Sequence, residues 1–425
     1  MNYFSVFTVL IAIAAIGMPG APCAAQSNDR EYDMIYTVTP DPGKASASVQ
    51  LHVQQPRSLL REIRMQIDPD RISDVIGSGI VNVDDDEIRW TPTPTGGTLS
   101  WTVSIPHERN SNGYDAWLAD DWGVFRAEDI IPRAATRALR GSESNTTLNF
   151  RLPRGWSVVT EYFGNDTSFK VQRPDRFFDQ PVGWIVMGNL GVRRDEIAGT
   201  RVAVAAPVNQ TNRRLEMLAL LRWTLPELAR IVPTLPRRLT IVSAGEPMWR
   251  GALSAPASLF IQAERPLISE NATSTLLHEV MHVTTGMRSE TGYDWIVEGI
   301  AEYYSLELLR RSDSISEKRY KNARRSQREW AQQADTLCGP SSSGATTALA
   351  VTTLAALDRE LRNNSGGELS LDDVTSELLA TGEALNLERL RSAAKRIGGG
   401  NIETLHTDKL PGCSDNSRDN SQLSN

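Results

Sequence analysis

Residues 276–286 read LLHEVMHVTTG, and two of the chain's five histidines fall in this stretch, four positions apart, with a glutamate directly after the first. On an α-helix, residues four apart lie on one face about 6 Å along the axis, so His278 and His282 can turn imidazole nitrogens towards one point. Two nitrogens so placed suit zinc, and HExxH on a helix is a known two-histidine arrangement for that metal. Glu279 shares the rim with His278. It is poorly placed as a ligand but well placed to take a proton from a water that the metal acidifies. In so histidine-poor a chain the pattern arises by chance on the order of once in several hundred sequences. The flanking Leu276, Leu277, Val280, Met281 and Val283 make the helix apolar on several sides. Two imidazoles and a carboxylate in such surroundings are costly without a cation to share.

A catalytic zinc takes a third protein ligand and keeps one position open. The following segment, YDWIVEGIAEYYS, offers Glu298 and Glu302 on one helical face. Both cannot bind one ion without closing the site. Of the two, Glu298 is taken as the expected ligand. Glu302 is expected to receive the other N–H of His278, with an exposed salt-bridging residue as its alternative role.

Outward from the motif, the pattern divides. From about Tyr32 to Pro207 short alternating runs such as YDMIYTVTP, ASVQLHVQQ and LSWTVSIP are separated by turn signals such as PDPG and NSNG, which predicts an antiparallel β-sandwich. His52 and His107 sit alone in strand-like runs and read as structural. Beyond Ala205 the period becomes helical, with Pro226 expected to kink or split RRLEMLALLRWTLPELARIV. RRLTIVSA and ASLFIQAE read as two further strands, and Ser258–Gln262 as a candidate for pairing with a peptide backbone. The motif helix is expected to start near Ser269–Asn271, with Ser and Asn as caps. Ser370 and Asp373 resemble a capping box. The fold class is α+β: a β-rich region over 26–205, then a mostly helical region with a small sheet over 206–405, and a tail over 406–425.

The chain has 425 residues and a formal charge of −7. It shows no clustered excess of Lys and Arg, which argues against nucleic acid as a partner. RRSDSISEKRYKNARRSQR interleaves its arginines with acids and serines and reads as a solvated helix face. Residues 1–25 look like a signal peptide, with an apolar run from Phe4 to Met18 and a small-residue cleavage site ending at Ala25, although no Lys or Arg precedes the run. A lipoprotein using Cys23 and an uncleaved anchor are the alternatives. No other run is apolar enough to span a bilayer. The expected location is therefore periplasmic or secreted. Cys338 and Cys413 remain after removal of the signal and are expected to form one disulfide. Sequons at Asn145, Asn165, Asn209, Asn271 and Asn363 would carry glycan only on a eukaryotic secretory route.

HExxH followed by WxxEGxAEYY resembles the gluzincin metallopeptidases, most nearly the glycyl-aminopeptidase-type family and more distantly the aminopeptidase-N group. FRLPRGWSVVTEY, FFDQPVGWIVMG and TLAALDRELRNNSGGELSLDDVTSELL are similar to further segments of the first family, whose PDZ domain has no counterpart here. The resemblance implies one zinc ion per chain, held by His278, His282 and the Glu298 of the EG dipeptide, and a peptide or protein substrate. It also implies a substrate strand at WRGALSAPASLF, placing Gly251, Ala252 and Leu253 against the peptide. Two departures stand out. The tyrosine that serves the oxyanion in that family is missing from SGATTALAVTTLAALD, leaving Tyr293, Tyr303, Tyr304 or Tyr320 as replacements. The glutamate that aminopeptidase-N relatives offer a free amine is also absent. The expectation is an exported zinc peptidase with Glu279 as general base, exo- or endopeptidase unresolved. The alternatives are an inactive zinc-stabilised scaffold or a zinc hydrolase of non-peptide substrates.

Overall fold

The computed structural model describes residues 30–110, 113–172, 180–210, 213–400 and 402–413. The expected signal peptide and the tail after Cys413 lie outside the described residues. Strands dominate the first half and helices the second, which makes the fold α+β.

Residues 31–188 build three sheets. The seven-stranded sheet runs, in spatial order, Phe163–Asn165, Ser168–Val171, Glu143–Phe150, Glu31–Asp41, Ser46–Gln54, Gly96–Ser104, Ile72–Gly77. Period-two alternation drives its formation: Tyr32, Met34, Tyr36 and Val38 all point inward from the first strand, with more exposed residues between them. These side chains meet Trp90, Ile63 and Met65 of a four-stranded sheet in one apolar core. The expectation of antiparallel pairing throughout is corrected at one place: Glu31–Asp41 runs parallel to Glu143–Phe150. No hairpin turn links these two strands, and the long connection leaves their relative direction free.

The fourth sheet orders Leu190–Ile197, Thr200–Pro207, Arg238–Ala244, Ser258–Gln262 and Ala252–Ser254, and its three central strands are parallel. Its hydrogen bonding continues across residue 205. Both faces are covered, as parallel strands require. Leu259 and Ile261 enter the helical core, whereas Phe260 packs with Trp122, Trp184 and Met248 on the other side.

The helices are α1 (Ala127–Ile130), α2 (Arg214–Leu228), α3 (Thr275–Thr285), α4 (Asp294–Arg311), α5 (Glu317–Ala331), α6 (Ala345–Asn364), α7 (Leu371–Thr381) and α8 (Leu387–Gly398). Pro226 does not split the segment: it falls in the last turn of α2, which runs unbroken from Arg214 to Leu228. The capping box of α7 forms: the Ser370 N–H donates to Asp373 at 2.8 Å. Cys338 and Cys413 are joined by a disulfide. No helix among the described residues is long and apolar enough to cross a membrane.

Candidate metal centre

The motif helix α3 starts later than expected. Its N-cap is Ser274, whose hydroxyl accepts the Leu277 N–H at 3.3 Å, while Ser269 instead bonds Thr273 in a turn upstream. Asn271 caps nothing, because the chain turns through a left-handed Ala272 before the helix begins. At the other end Gly286, at φ 57°, closes the helix by donating to the His282 carbonyl. Leu276, Leu277, Val280 and Met281 are buried, which fixes the helix's rotation and turns both histidines towards α4.

α4 brings the carboxylates. Its Gly299 lies where a Cβ would meet the Ala350 Cβ at 2.8 Å, so a bare Cα lets α4 settle against α6. On a neighbouring face Glu298 meets both histidines, with His278 Nε2 3.2 Å and His282 Nε2 3.3 Å from its two oxygens. The two Nε2 atoms are 3.0 Å apart. These separations approach the ~3.3 Å edge of a tetrahedron whose corners lie ~2.0–2.1 Å from its centre, the zinc–ligand distance. Among the described residues, His278, His282 and Glu298 are the one group of three with metal-ligand character. The three side chains fit zinc by donor type and by spacing.

Glu302 stands one turn along α4, with its Oε2 3.1 Å from His278 Nδ1. A proton on Nδ1 leaves Nε2 with its lone pair facing the cluster, so this contact selects the tautomer a metal needs. The Ser305 hydroxyl donates to the Glu302 carbonyl at 2.9 Å and lies 3.4 Å from its carboxylate. Burial depresses the basicity of His278, but hydrogen bonds to Glu298 and Glu302 outweigh it and raise its pKa to about 10. Burial pushes Glu298 up, and its bonds to the two imidazoles outweigh that and bring it to about 2. The pocket thus favours a cation among these groups. Glu279, beside His278 on α3, is 8 % exposed.

Three of the four candidate tyrosines are corrected. The Tyr304 hydroxyl donates to Asp372 at 3.0 Å and lies 3.2 Å from the Thr375 hydroxyl, on α7. Tyr320 donates to Glu307. Tyr303 is 2 % exposed, edge-on to Tyr304 and under the Arg324 guanidinium. Successive residues on α4 turn by about 100°, so 303 and 304 leave the face that carries Glu298 and Glu302. Tyr293, half-buried at the start of α4, is the one that remains.

The substrate-strand expectation is partly corrected. Ser258–Gln262 is paired on both sides and has no free edge; the outermost strand is Ala252–Ser254. The Gln262 N–H donates to the Gly251 carbonyl at 3.0 Å and the Ala255 N–H to the Ser258 carbonyl at 2.7 Å. Backbone groups alternate in direction along an antiparallel strand. Residues 251, 253 and 255 therefore face inward, and Ala252 and Ser254 turn their N–H and C=O groups to the open edge. This strand packs beside α3. It is held from behind by Trp184, whose Nε1 donates to the Leu253 carbonyl at 2.9 Å. Sequence reading could not find that contact, because the partners are 69 residues apart. His52 and His107 bond Thr98 and Asp115 respectively, far along the chain from the motif.

No protein-family model matches the sequence, and no curated protein is significantly similar to it. Solved structures are similar. An aminopeptidase N family protein from Idiomarina loihiensis aligns over 89 % of this chain and 76 % of its own, with 17 % identity and a TM-score of 0.68. An M1 zinc metallopeptidase from Deinococcus radiodurans aligns over 90 % and 94 %, with 16 % identity and a TM-score of 0.58. A form of the same enzyme bound to a Tyr-Ser-Ala substrate gives 16 % and 0.56 over 88 % and 92 %. The chain shares the fold of these proteins.

Proposed function

We propose that this protein is an exported zinc-dependent peptidase, with one zinc ion held by His278, His282 and Glu298. The spacing of these three ligand atoms, joined in a fold shared with zinc metallopeptidases, carries the reading. Bound there, zinc supplies a Lewis acid that polarises a carbonyl and acidifies water. The chain's own groups do the rest. Glu279, nearly enclosed at the rim of the cluster, accepts the proton of the attacking water and hands it to the departing amine. Glu302 keeps the His278 ring in its ligating tautomer. The free N–H and C=O groups of Ala252 and Ser254 align an extended peptide by strand addition, with Gly251 and Leu253 anchoring that strand to its neighbour. Tyr293 is the proposed donor to the oxyanion that forms as water adds to the carbonyl. The glycyl-aminopeptidase type remains the favoured subclass, on the EGxAEYY segment and its short link to the histidines. The β-rich region over 26–205, the catalytic region over 206–405 and the tail form part of the same proposal, as does export, which the disulfide supports.

The test is cleavage of a mixed peptide library by the zinc-loaded protein, half of the peptides with blocked N-termini, read by mass spectrometry. Cleavage that disappears in Glu279→Gln is expected, and the blocked half sorts exo- from endopeptidase. A zinc-loaded wild type that cleaves nothing would transfer the protein to the scaffold reading.

A further inference from the structure

A second recess lies away from the histidines, where the hairpin Phe163–Val171 leans over the strands Leu190–Ile197 and Thr200–Pro207. Its volume is about 1210 Å³, and Arg194, Arg201 and Arg238 line it. The sheet register explains why three arginines meet. Arg201 pairs with Arg238 across the parallel ladder, and Arg194 sits on the neighbouring strand opposite Ala203, two positions along. All three therefore project from one face.

Phe163, 45 % exposed on the edge strand of the seven-stranded sheet, is the platform for two of them. The Arg201 and Arg238 guanidinium carbons lie 5.7 and 5.2 Å from its ring centre. Stacking occupies the flat face of a guanidinium and leaves its in-plane N–H donors free for a carboxylate or phosphate fork. Arg238 spends Nε on the Thr240 hydroxyl and Nη1 on the Tyr162 carbonyl, which holds the group in place with Nη2 left over. Burial and the like charges of Arg194 and Arg201 all push its pKa down, with Glu161 opposing. Among the described residues, no carboxylate lies within ion-pair distance of any of the three. Asp195, which also lines the recess, is bound to Arg222, which leaves Asp166 and Glu196 in the lining and Glu161 near Arg238 to balance them. Three like charges on one face, one of them partly buried, repel one another, and a bound anion relieves that repulsion.

We propose that this cleft binds a carboxylate-bearing ligand, gripped by Arg194, Arg201 and Arg238 around Phe163. The carboxylates could come from a free small polycarboxylate or from acidic side chains of an extended peptide lying along the exposed Phe163–Asn165 strand. This site uses none of the proposed catalytic residues and stands whether or not the protein is a peptidase.

The experiment is isothermal titration of the full mature chain with citrate and, separately, with hexaglutamate, at low and at physiological salt. Saturable binding of at least one probe, weakened by salt, is expected. Arg194→Gln/Arg201→Gln, both at exposed positions, should weaken it by roughly tenfold or more, the equivalent of about one charge-assisted bond. Cleavage of a neutral peptide by that variant should be unchanged. Citrate binding alone supports a free metabolite, and tighter hexaglutamate binding supports a peptide. No binding of either probe at millimolar concentration, or binding untouched in the double variant, overturns the proposal.

Discussion

Helix α4 carries two polar clusters, and they differ in what they lack. Towards its start, Glu298 and Glu302 face two imidazoles whose nitrogens crowd within 3.0–3.3 Å of one another and of Glu298, and among the described residues no Lys or Arg pairs with them. Towards its end, Glu307 accepts from Arg310 at 2.8 Å and from Tyr320, and lies 3.5 Å from Arg311. Arg311 in turn forks onto Asp372 at 2.7 and 2.9 Å, and Asp372 also takes the Tyr304 hydroxyl. The second cluster balances its own charges and ties α4 to α5 and α7. The first has only the proton on His278 as its own cation, a charge that an incoming metal ion would replace. Buried polar groups do structural work when their partners are all present; the first cluster instead has the donor types and spacing that suit a metal ion.

The largest effect that could break this contrast is catalytic. Glu279→Gln should lower kcat by about 10²–10⁴ while leaving zinc content and thermal unfolding unchanged. A variant that cleaves as well as wild type would remove Glu279 from the chemistry. At the other cluster, Arg311→Met should leave zinc content unchanged but destabilise the fold. We expect about 3 kcal/mol, the lower end of the range for a broken buried pair because Asp372 is 27 % exposed. Urea unfolding measures it; a loss below ~1 kcal/mol would make that network incidental. Metal removal sharpens the same line. With free zinc at 100 times its Kd, the metal adds about 2.7 kcal/mol to stability. A chelator should therefore lower Tm in wild type and in Arg311→Met alike, but not in His278→Ala/His282→Ala. The smallest effect belongs to Glu302→Gln, which should weaken zinc binding by roughly 10–100-fold, read by competition with a chromogenic chelator. Unchanged affinity would return Glu302 to the role of an ordinary surface acid.

Cys338 and Cys413 illustrate how far sequence alone reaches. Their pairing was expected because two of the three cysteines lie outside the segment that reads as a signal, and the bond spans 75 residues. Closing a loop of that length removes about 4.5 kcal/mol of chain entropy from the unfolded state. The tyrosines illustrate the reverse. Tyr303 and Tyr304 stand directly beside Glu302 in sequence, yet the helix turns them into the layer with Arg324 and Asp372.

The chain's own order of residues determined the candidate metal site, because His278, His282 and Glu298, with Glu302 behind them, are set by the pitch of two helices joined by one short link. It likewise determined the division into a strand-rich and a helix-rich half, since periods of two and of 3.6 can be read within any short window. Tertiary structure alone decided the rest. Which strand became the free edge, the parallel seating of the first strand, the Trp184 bond behind Leu253 and the meeting of Arg194, Arg201 and Arg238 around Phe163 all join residues far apart in the chain. Local periodicity specifies which way a side chain points from its own backbone, and only packing specifies what it then meets.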